Sequence, residues 1–325
     1  MRRRIVLAVA AAVLASPLTV ADSGLTGSVR IDGSSTVYPI TEAVAEEFFY
    51  EGYRDVKVTV GFSGTGGGFK KFAAGEIEIA DASRPIKATE MASLESAGIA
   101  FIELPIAYDG LCVVVNPANT WADSLTVDEI KRIFLDGSTV ETWSDVRPNW
   151  PDVPIELYAP GTDSGTFDYF KEVIARDSGA IRGDMSVSED DNILVRGVAG
   201  NRNAIGFFGI AYYLENRDKL RSVPIDGGAG PIKPTHETVE DGSYAPFSRP
   251  LFIYVNAASA QEPQVAAFVD FYLENAQELA NDVGYVGLPN HIGMKVRRVW
   301  ERRETGTRFL TDSGEKVHKP LRELY

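Results

Sequence analysis

Short apolar strands alternate with amphipathic helices over residues 29–80 in the order β-α-β-α-β, which restricts the chain to an open, largely parallel sheet covered by helices. Val29-Arg30-Ile31 reads as a strand, and Val37, Ile40, Val44 and Phe48 recur at helical spacing up to a stop at Gly52. Val56, Val58 and Val60 alternate as a strand does; Phe69, Phe72 and Ala73 open a helix that Gly75 ends, and Ile77 and Ile79 begin the next strand. A second α/β region follows, with strands at Leu111–Val115 and Ile155–Tyr158, helices around Val127–Phe134 and Phe167–Ala175, and a buried strand or turn at Asn203–Phe208. Residues 224–250 are rich in Gly, Pro and polar side chains and read as loop. Leu251–Val255 returns to strand and Pro263–Ala280 to helix, while 301–325 has only weak periodicity.

The start of the chain sets the expected compartment. Arg2, Arg3 and Arg4 precede an apolar run from Ile5 to about Leu14 and then small residues to Ala21. This is the layout of a removable export signal over residues 1–21, with Thr19-Val20-Ala21 before the cut; an uncleaved anchor is the alternative. The expected place of work is therefore the periplasm, with no stable membrane insertion. The one cysteine, Cys112, lies in an apolar strand and reads as a core thiol, and with no cysteine in the leader a lipid anchor is disfavoured.

The formal net charge of −14 argues against nucleic acid and anionic membranes as partners. The stretch 295–325 is the local exception, with nine Lys or Arg against five Asp or Glu, and reads as a solvated surface. An anion can still be held by such a chain, because surface charges are screened beyond about 8–10 Å. No His/Cys cluster has metal-ligand spacing, so neither metal nor cofactor is expected.

Four polar segments stand where a strand ends or a helix begins: Gly33-Ser34-Ser35-Thr36, Ser63-Gly64-Thr65-Gly66-Gly67-Gly68, Asp81-Ala82-Ser83-Arg84 and Gly161-Thr162-Asp163-Ser164-Gly165-Thr166. The first N–H groups of a helix lack internal partners and carry partial positive charge, so an anion is favoured there. Ligands of open α/β sheets bind beyond the C-terminal ends of the strands. Hydrogen bonds to charged groups contribute roughly 1.5–3 kcal/mol each, and several reach the ~8 kcal/mol of micromolar binding. Singly, each segment is also an ordinary helix cap or flexible loop, Arg84 a structural ion pair and Asp81 a strand-end cap. The glycine run is neither a Walker A nor a Gly-x-Gly-x-x-Gly motif.

Together the segments resemble the PstS-type phosphate-binding components of bacterial ABC importers. The matching stretches are Ile31–Pro39, Gly61–Phe72, Ile79–Ile86 and Gly161–Thr166, with Ala204-Ile205-Gly206-Phe207 as a later turn; the likeness spans about 27–290. The resemblance implies an α/β, two-lobed periplasmic binding protein fold with a ligand cleft between the lobes. Its two hinge strands would cross near Ile106–Leu111 and Pro246–Phe252, placing 22–107 plus 250–325 in lobe one and 108–249 in lobe two.

It also implies a monomer that captures inorganic phosphate and docks on the importer's permease subunits. Ser35 and Thr36 would donate to one oxygen, and Thr65 to another, or Ser63 if the loop register differs. Ser164, Gly165 and Thr166 would cap a helix aimed at the anion. Pro160 stands where the family pattern has an arginine, so Arg84 would supply the positive charge. Ser83 stands where the family has the carboxylate that accepts the proton of hydrogen phosphate and rejects sulfate; Asp81 is the nearest acid. The other readings are a phosphate sensor or other oxyanion binder of the same fold, and a serine hydrolase or phosphatase using Ser164 with His236, His291 or His318.

Overall fold

The computed structural model describes residues 24–325 apart from 163, 176–178, 189, 312 and 318, so the expected signal 1–21 and His318 lie outside the described residues. The chain runs through β1 (Gly27–Gly33), α1 (Tyr38–Tyr50), β2 (Val56–Val60), α2 (Thr65–Ala73), β3 (Ile79–Ala82), α3 (Ala88–Ser96) and the long β4 (Phe101–Val115). Next come β5 (Leu125–Thr126), α4 (Val127–Phe134), α5 (Trp143–Val146), β6 (Glu156–Pro160), α6 (Gly165–Ala175), β7 (Ser186–Ser188), α7 (Asp191–Gly200), β8 (Ala204–Gly209) and α8 (Ile210–Glu215). The rest is β9 (Arg221–Ser222), β10 (Ile225–Asp226), β11 (Pro231–Ile232), α9 (His236–Glu240), β12 (Ser248–Asn256), α10 (Pro263–Asp282), β13 (Val286–Gly287), α11 (Asn290–Glu301) and α12 (Leu321–Leu324).

The main sheet has the order β2-β1-β3-β12-β4-β8-β6-β7. β1 lies parallel to both β2 and β3, as the β-α-β-α-β pattern requires. β12 is antiparallel to β3 and β4, and β4 carries the sheet across the middle: Phe101–Gly110 pair with β12, and Leu111–Val115 pair with β8. All fifteen residues of β4 are buried, which is why its Leu111–Val115 end reads as a continuous apolar run rather than an alternation; Glu103 and Asp109 are the charged residues it buries.

Each half of the sheet is sealed by the helix stripes that the spacing predicts. Ile40, Val44 and Phe48 of α1 and Phe268 and Tyr272 of α10 have no exposed surface, and Phe48 meets Phe268 edge-on at 5.3 Å. In the other half Phe170 of α6 stacks on Phe207 of β8 at 3.8 Å. α4 starts on a reciprocal cap, with Glu129 N donating to Thr126 Oγ1 at 3.1 Å and Thr126 N to Glu129 Oε2 at 2.8 Å.

The stretch 224–250, read as loop, is more ordered than that. It contains β10, β11, α9 and the start of β12. Two-residue strands and a five-residue helix are too short to show a hydrophobic period, and only the Thr235 cap on Thr238 N, at 3.1 Å, marks the helix locally. No helix among the described residues is long and apolar enough to cross a membrane.

Candidate functional site

The polar segments sit at the sheet's C-terminal ends, where local backbone constraints hold them. Gly33 has φ +149°, and a Cβ there would stand 2.1 Å from the Asp81 carbonyl oxygen, so β1 and β3 close on each other only with glycine. Ser34 N then donates to that oxygen at 2.9 Å. Ser34 Oγ accepts from Thr36 N at 3.2 Å and Val37 N at 3.4 Å, which turns the chain into α1. Thr36 is buried and Ser35 half-buried.

The second segment places Ser63 and Thr65 differently. The Ser63 amide and hydroxyl both donate to Asp32 Oδ1, and Lys71 Nζ holds the other Asp32 oxygen at 2.6 Å. Thr65 opens α2, and its Oγ1 accepts from Ser83 N at 3.2 Å and shares a hydrogen bond with Ser83 Oγ at 3.2 Å. Thr65 and Ser83 therefore form one patch, and Ser63 is occupied by Asp32.

The fourth segment meets the first across the sheet's two halves. A Cβ on Gly165 would lie 2.9 Å from Thr36 Cα, so the start of α6 touches the start of α1. Ser164 Oγ accepts from Thr166 N at 3.2 Å, and Asp168 N donates to Ser164 O at 3.1 Å. Ser35 Oγ donates to Asp168 Oδ2 at 3.2 Å, a hydrogen bond from one half to the other. Ser35, Ser164, Gly165, Thr166 and Asp168 line one cavity of about 660 Å³.

Arg84 is not at this junction. Its Nη1 and Nη2 form a fork on Glu90 at 2.9 and 2.7 Å. The guanidinium at the junction is Arg249 of β12, whose Nη2 donates to Thr36 Oγ1 at 3.2 Å. Its Nε faces Asp109 Oδ2 at 3.3 Å, its Nη1 faces Glu172 Oε2 at 2.7 Å, and it lies 3.7 Å from the centre of the Tyr169 ring. Burial alone would pull the Arg249 pKa down, but Asp109 and Glu172 outweigh it and hold the group charged.

Asp81 is not brought to the cleft either. It is fully buried, and neither carboxyl oxygen has a hydrogen-bond partner. Burial pushes its pKa up to about 8, with the Asp32 charge adding to the rise. Thr41 favours the charged form, but burial outweighs it; the Thr41 hydroxyl also shares a hydrogen bond with Tyr272 OH at 3.0 Å. Among the described residues the acid that lines the cavity is Asp168, in the first turn of α6.

Sequence reasoning did not single out Arg249, Asp109 and Asp168, which the structure places at or beside this junction. The first two were marked only by being charged residues inside the two stretches read as hinge strands, where they are cross-strand partners. Asp168 follows Ser164 by four residues, one helical turn, and that spacing was its only signal. His236 begins α9 and His291 is the second residue of α11, and Ser164 Oγ accepts from Thr166 N. No group of three or more His, Cys, Asp or Glu among the described residues has the arrangement of a metal site.

Known proteins share this arrangement of chain. The model of the PBP superfamily domain matches residues 19–276. The chain belongs to the PBP superfamily, in its PstS-like group. It is 50% identical over 293 residues to Protein SphX of Synechocystis sp., covering 89% of this chain and 86% of that one. It is 42% identical over 272 residues to the phosphate-binding protein PstS of Staphylococcus saprophyticus, covering 83% of each. A crystal structure of a possible phosphate binding protein from Planctomyces limnophilus superposes with a TM-score of 0.83 at 46% identity, covering 86% of this chain and 99% of that one. The two-lobed α/β fold that the PstS-type resemblance implied is the fold of this superfamily.

Proposed function

We propose that this PBP-superfamily chain binds inorganic phosphate between two lobes, 22–107 plus 250–325 and 108–249, and delivers it to the permease of an ABC-type importer without a chemical step. It works in the periplasm as a monomer, exported by the leader 1–21. The observation that carries this reading is the meeting of Thr36, Gly165 and Arg249: the start of α1, the start of α6 and a buried guanidinium at one point. Helix-start amides and a charged fork are the donors that a tetrahedral oxyanion takes, and the likeness to a relative named as a phosphate-binding protein, and to a structure described as a possible one, supports the choice of anion.

In this reading Ser35, Thr36, Thr65, Ser83, Ser164, Gly165 and Thr166 supply neutral donors, and Arg249 takes the part expected of Arg84. Ser63 and Asp81 act behind the site rather than on the anion. Asp168 accepts the proton of hydrogen phosphate from the opposite lobe to the one where a carboxylate was expected. Asp168 itself is exposed, but at the lip of the cleft it leaves an acceptor facing an acceptor when sulfate enters, and that mismatch disfavours the fully deprotonated anion.

Calorimetry with phosphate, sulfate, arsenate and molybdate tests the whole assignment: tight phosphate binding is expected, and tight sulfate binding with no phosphate heat overturns it. In Asp168→Asn the phosphate affinity is expected to fall about tenfold while sulfate binding becomes measurable, since the amide offers a donor to a fully deprotonated anion. Unchanged selectivity removes Asp168 from the site.

Gly165→Ala is a steric test of the closed cleft. The added methyl would lie 2.9 Å from Thr36 Cα, a contact between lobes and not within one. Phosphate affinity is expected to fall at least about tenfold with little change in Tm, because the hinge can relieve the clash only by staying open. Wild-type affinity in this variant would show that the anion is held without the two helix starts meeting.

A further inference from the structure

The segment 307–325 lies beyond residue 276, where the superfamily match ends, yet its Thr307, Arg308 and Tyr325 are bonded into the interior of the sheet. Its target is Glu103 of β4, which has no exposed surface. Thr307 Oγ1 donates to Glu103 Oε2, Arg308 N donates to Oε1 at 3.1 Å, and Tyr325 OH reaches the Glu103 carbonyl at 3.2 Å and Oε1 at 3.3 Å. The fourth donor to this carboxylate is Tyr254 OH on β12, at 2.9 Å from Oε2.

Tyr254 links this node to the anion site in two ways. Its hydroxyl oxygen accepts from Ile86 N at 2.9 Å, three residues after Ser83. Its ring packs edge-on against Phe69 at 4.9 Å, one helical turn after Thr65 on α2. Thr65 and Ser83 are the hydroxyls that contact each other at 3.2 Å. One side chain thus braces both elements that carry this pair, and its hydroxyl is fully used, donating to Glu103 and accepting from Ile86.

We propose that Tyr254 is a positioning residue for the Thr65–Ser83 pair, held in place by Glu103 and through it by the segment 307–325, so that anion affinity and the seating of that segment are coupled. The inference rests on the phosphate reading above. Coupling of this kind is reciprocal: what tightens the loop for the anion also tightens the segment when the anion binds.

Tyr254→Phe keeps the ring and deletes the hydroxyl. The expected result is a phosphate Kd raised about fivefold or more, with faster hydrogen exchange at the Ser83 and Ile86 amides. Tyr325→Phe should shift both readouts in the same direction by less, and phosphate should slow exchange across 307–325 in the wild type. Trp143→Phe, which loses the bond from Nε1 to Asn203 O (3.0 Å) in the other half of the molecule, controls for stability alone and should leave Kd unchanged. A Kd within twofold of wild type in both Tyr254→Phe and Tyr325→Phe overturns the proposal. Should the wild type take up no phosphate, the phosphate reading fails separately. Exchange at Ser83 and Ile86 in Tyr254→Phe then decides alone: faster exchange supports the bracing, and unchanged exchange overturns it.

Discussion

Arg249→Lys is expected to raise the phosphate Kd by about 10–100-fold, while Arg84→Met leaves it within about threefold. Arg249 reaches Thr36 at the junction of the two helix starts, whereas Arg84 has its fork on Glu90. A hydrogen bond to a charged group contributes roughly 1.5–3 kcal/mol, which is about 10–100-fold in affinity. Lysine keeps a positive charge opposite Asp109 but not the planar fork that matches an oxyanion in two places at once. Keeping the charge matters for the design, because removing one partner of a buried ion pair destabilises by about 3–5 kcal/mol and would confound binding with folding. Arg84→Met should lower Tm, since both members of its pair are mostly buried. Calorimetry and thermal melts on the two variants separate the roles. The opposite pattern, weak binding in Arg84→Met and wild-type affinity in Arg249→Lys, would return the guanidinium to the position first expected from the sequence.

The contrast between the two arginines shows what one sequence makes legible. Strands and helices with a full period could be read: Val127–Phe134 is the span of α4, and Val56–Val60 that of β2. The segments at strand ends were legible because helix starts, close glycines and small hydroxyls are local signals. Arg249 was not, because its place is set by pairing with Asp109, 140 residues away, which no local pattern encodes. Asp81 is set apart from the cavity for the complementary reason. Its position in Asp81-Ala82-Ser83-Arg84 is adjacent to the site, but strand alternation turns its side chain to the opposite face of the sheet from Ala82. Choosing Thr65 over Ser63 likewise required knowing that Asp32 takes both donors of Ser63. The node at Glu103 was invisible, since the tail has weak periodicity and is held by polar contacts rather than an apolar stripe.

Asp81→Asn is expected to stabilise the protein increasingly as pH rises from about 5 to 8, with no effect of comparable size on phosphate affinity. The wild-type carboxyl has a folded-state pKa of about 8 because it is fully buried with no hydrogen-bond partner. Its unfolded value is near 3.8. Between those values the folded state holds a proton that the unfolded state has released. Stability from this group is therefore complete below about pH 4 and lost progressively as pH rises towards 8, at up to about 1.4 kcal/mol per pH unit. Asparagine is nearly isosteric and cannot ionise, so its profile lacks that decline, and the difference between variant and wild type widens through the same window. Asp32 does not blur the comparison. Burial raises its pKa, but Lys71 and Ser63 outweigh that and hold it below the usual carboxylate value, so its contribution is lost only at more acid pH. Urea unfolding at half-unit steps from pH 5 to 8.5 measures the difference directly. Parallel profiles for the two proteins would mean that Asp81 is charged in the fold and has a partner there, and a large loss of phosphate affinity in Asp81→Asn would return this carboxylate to the binding site.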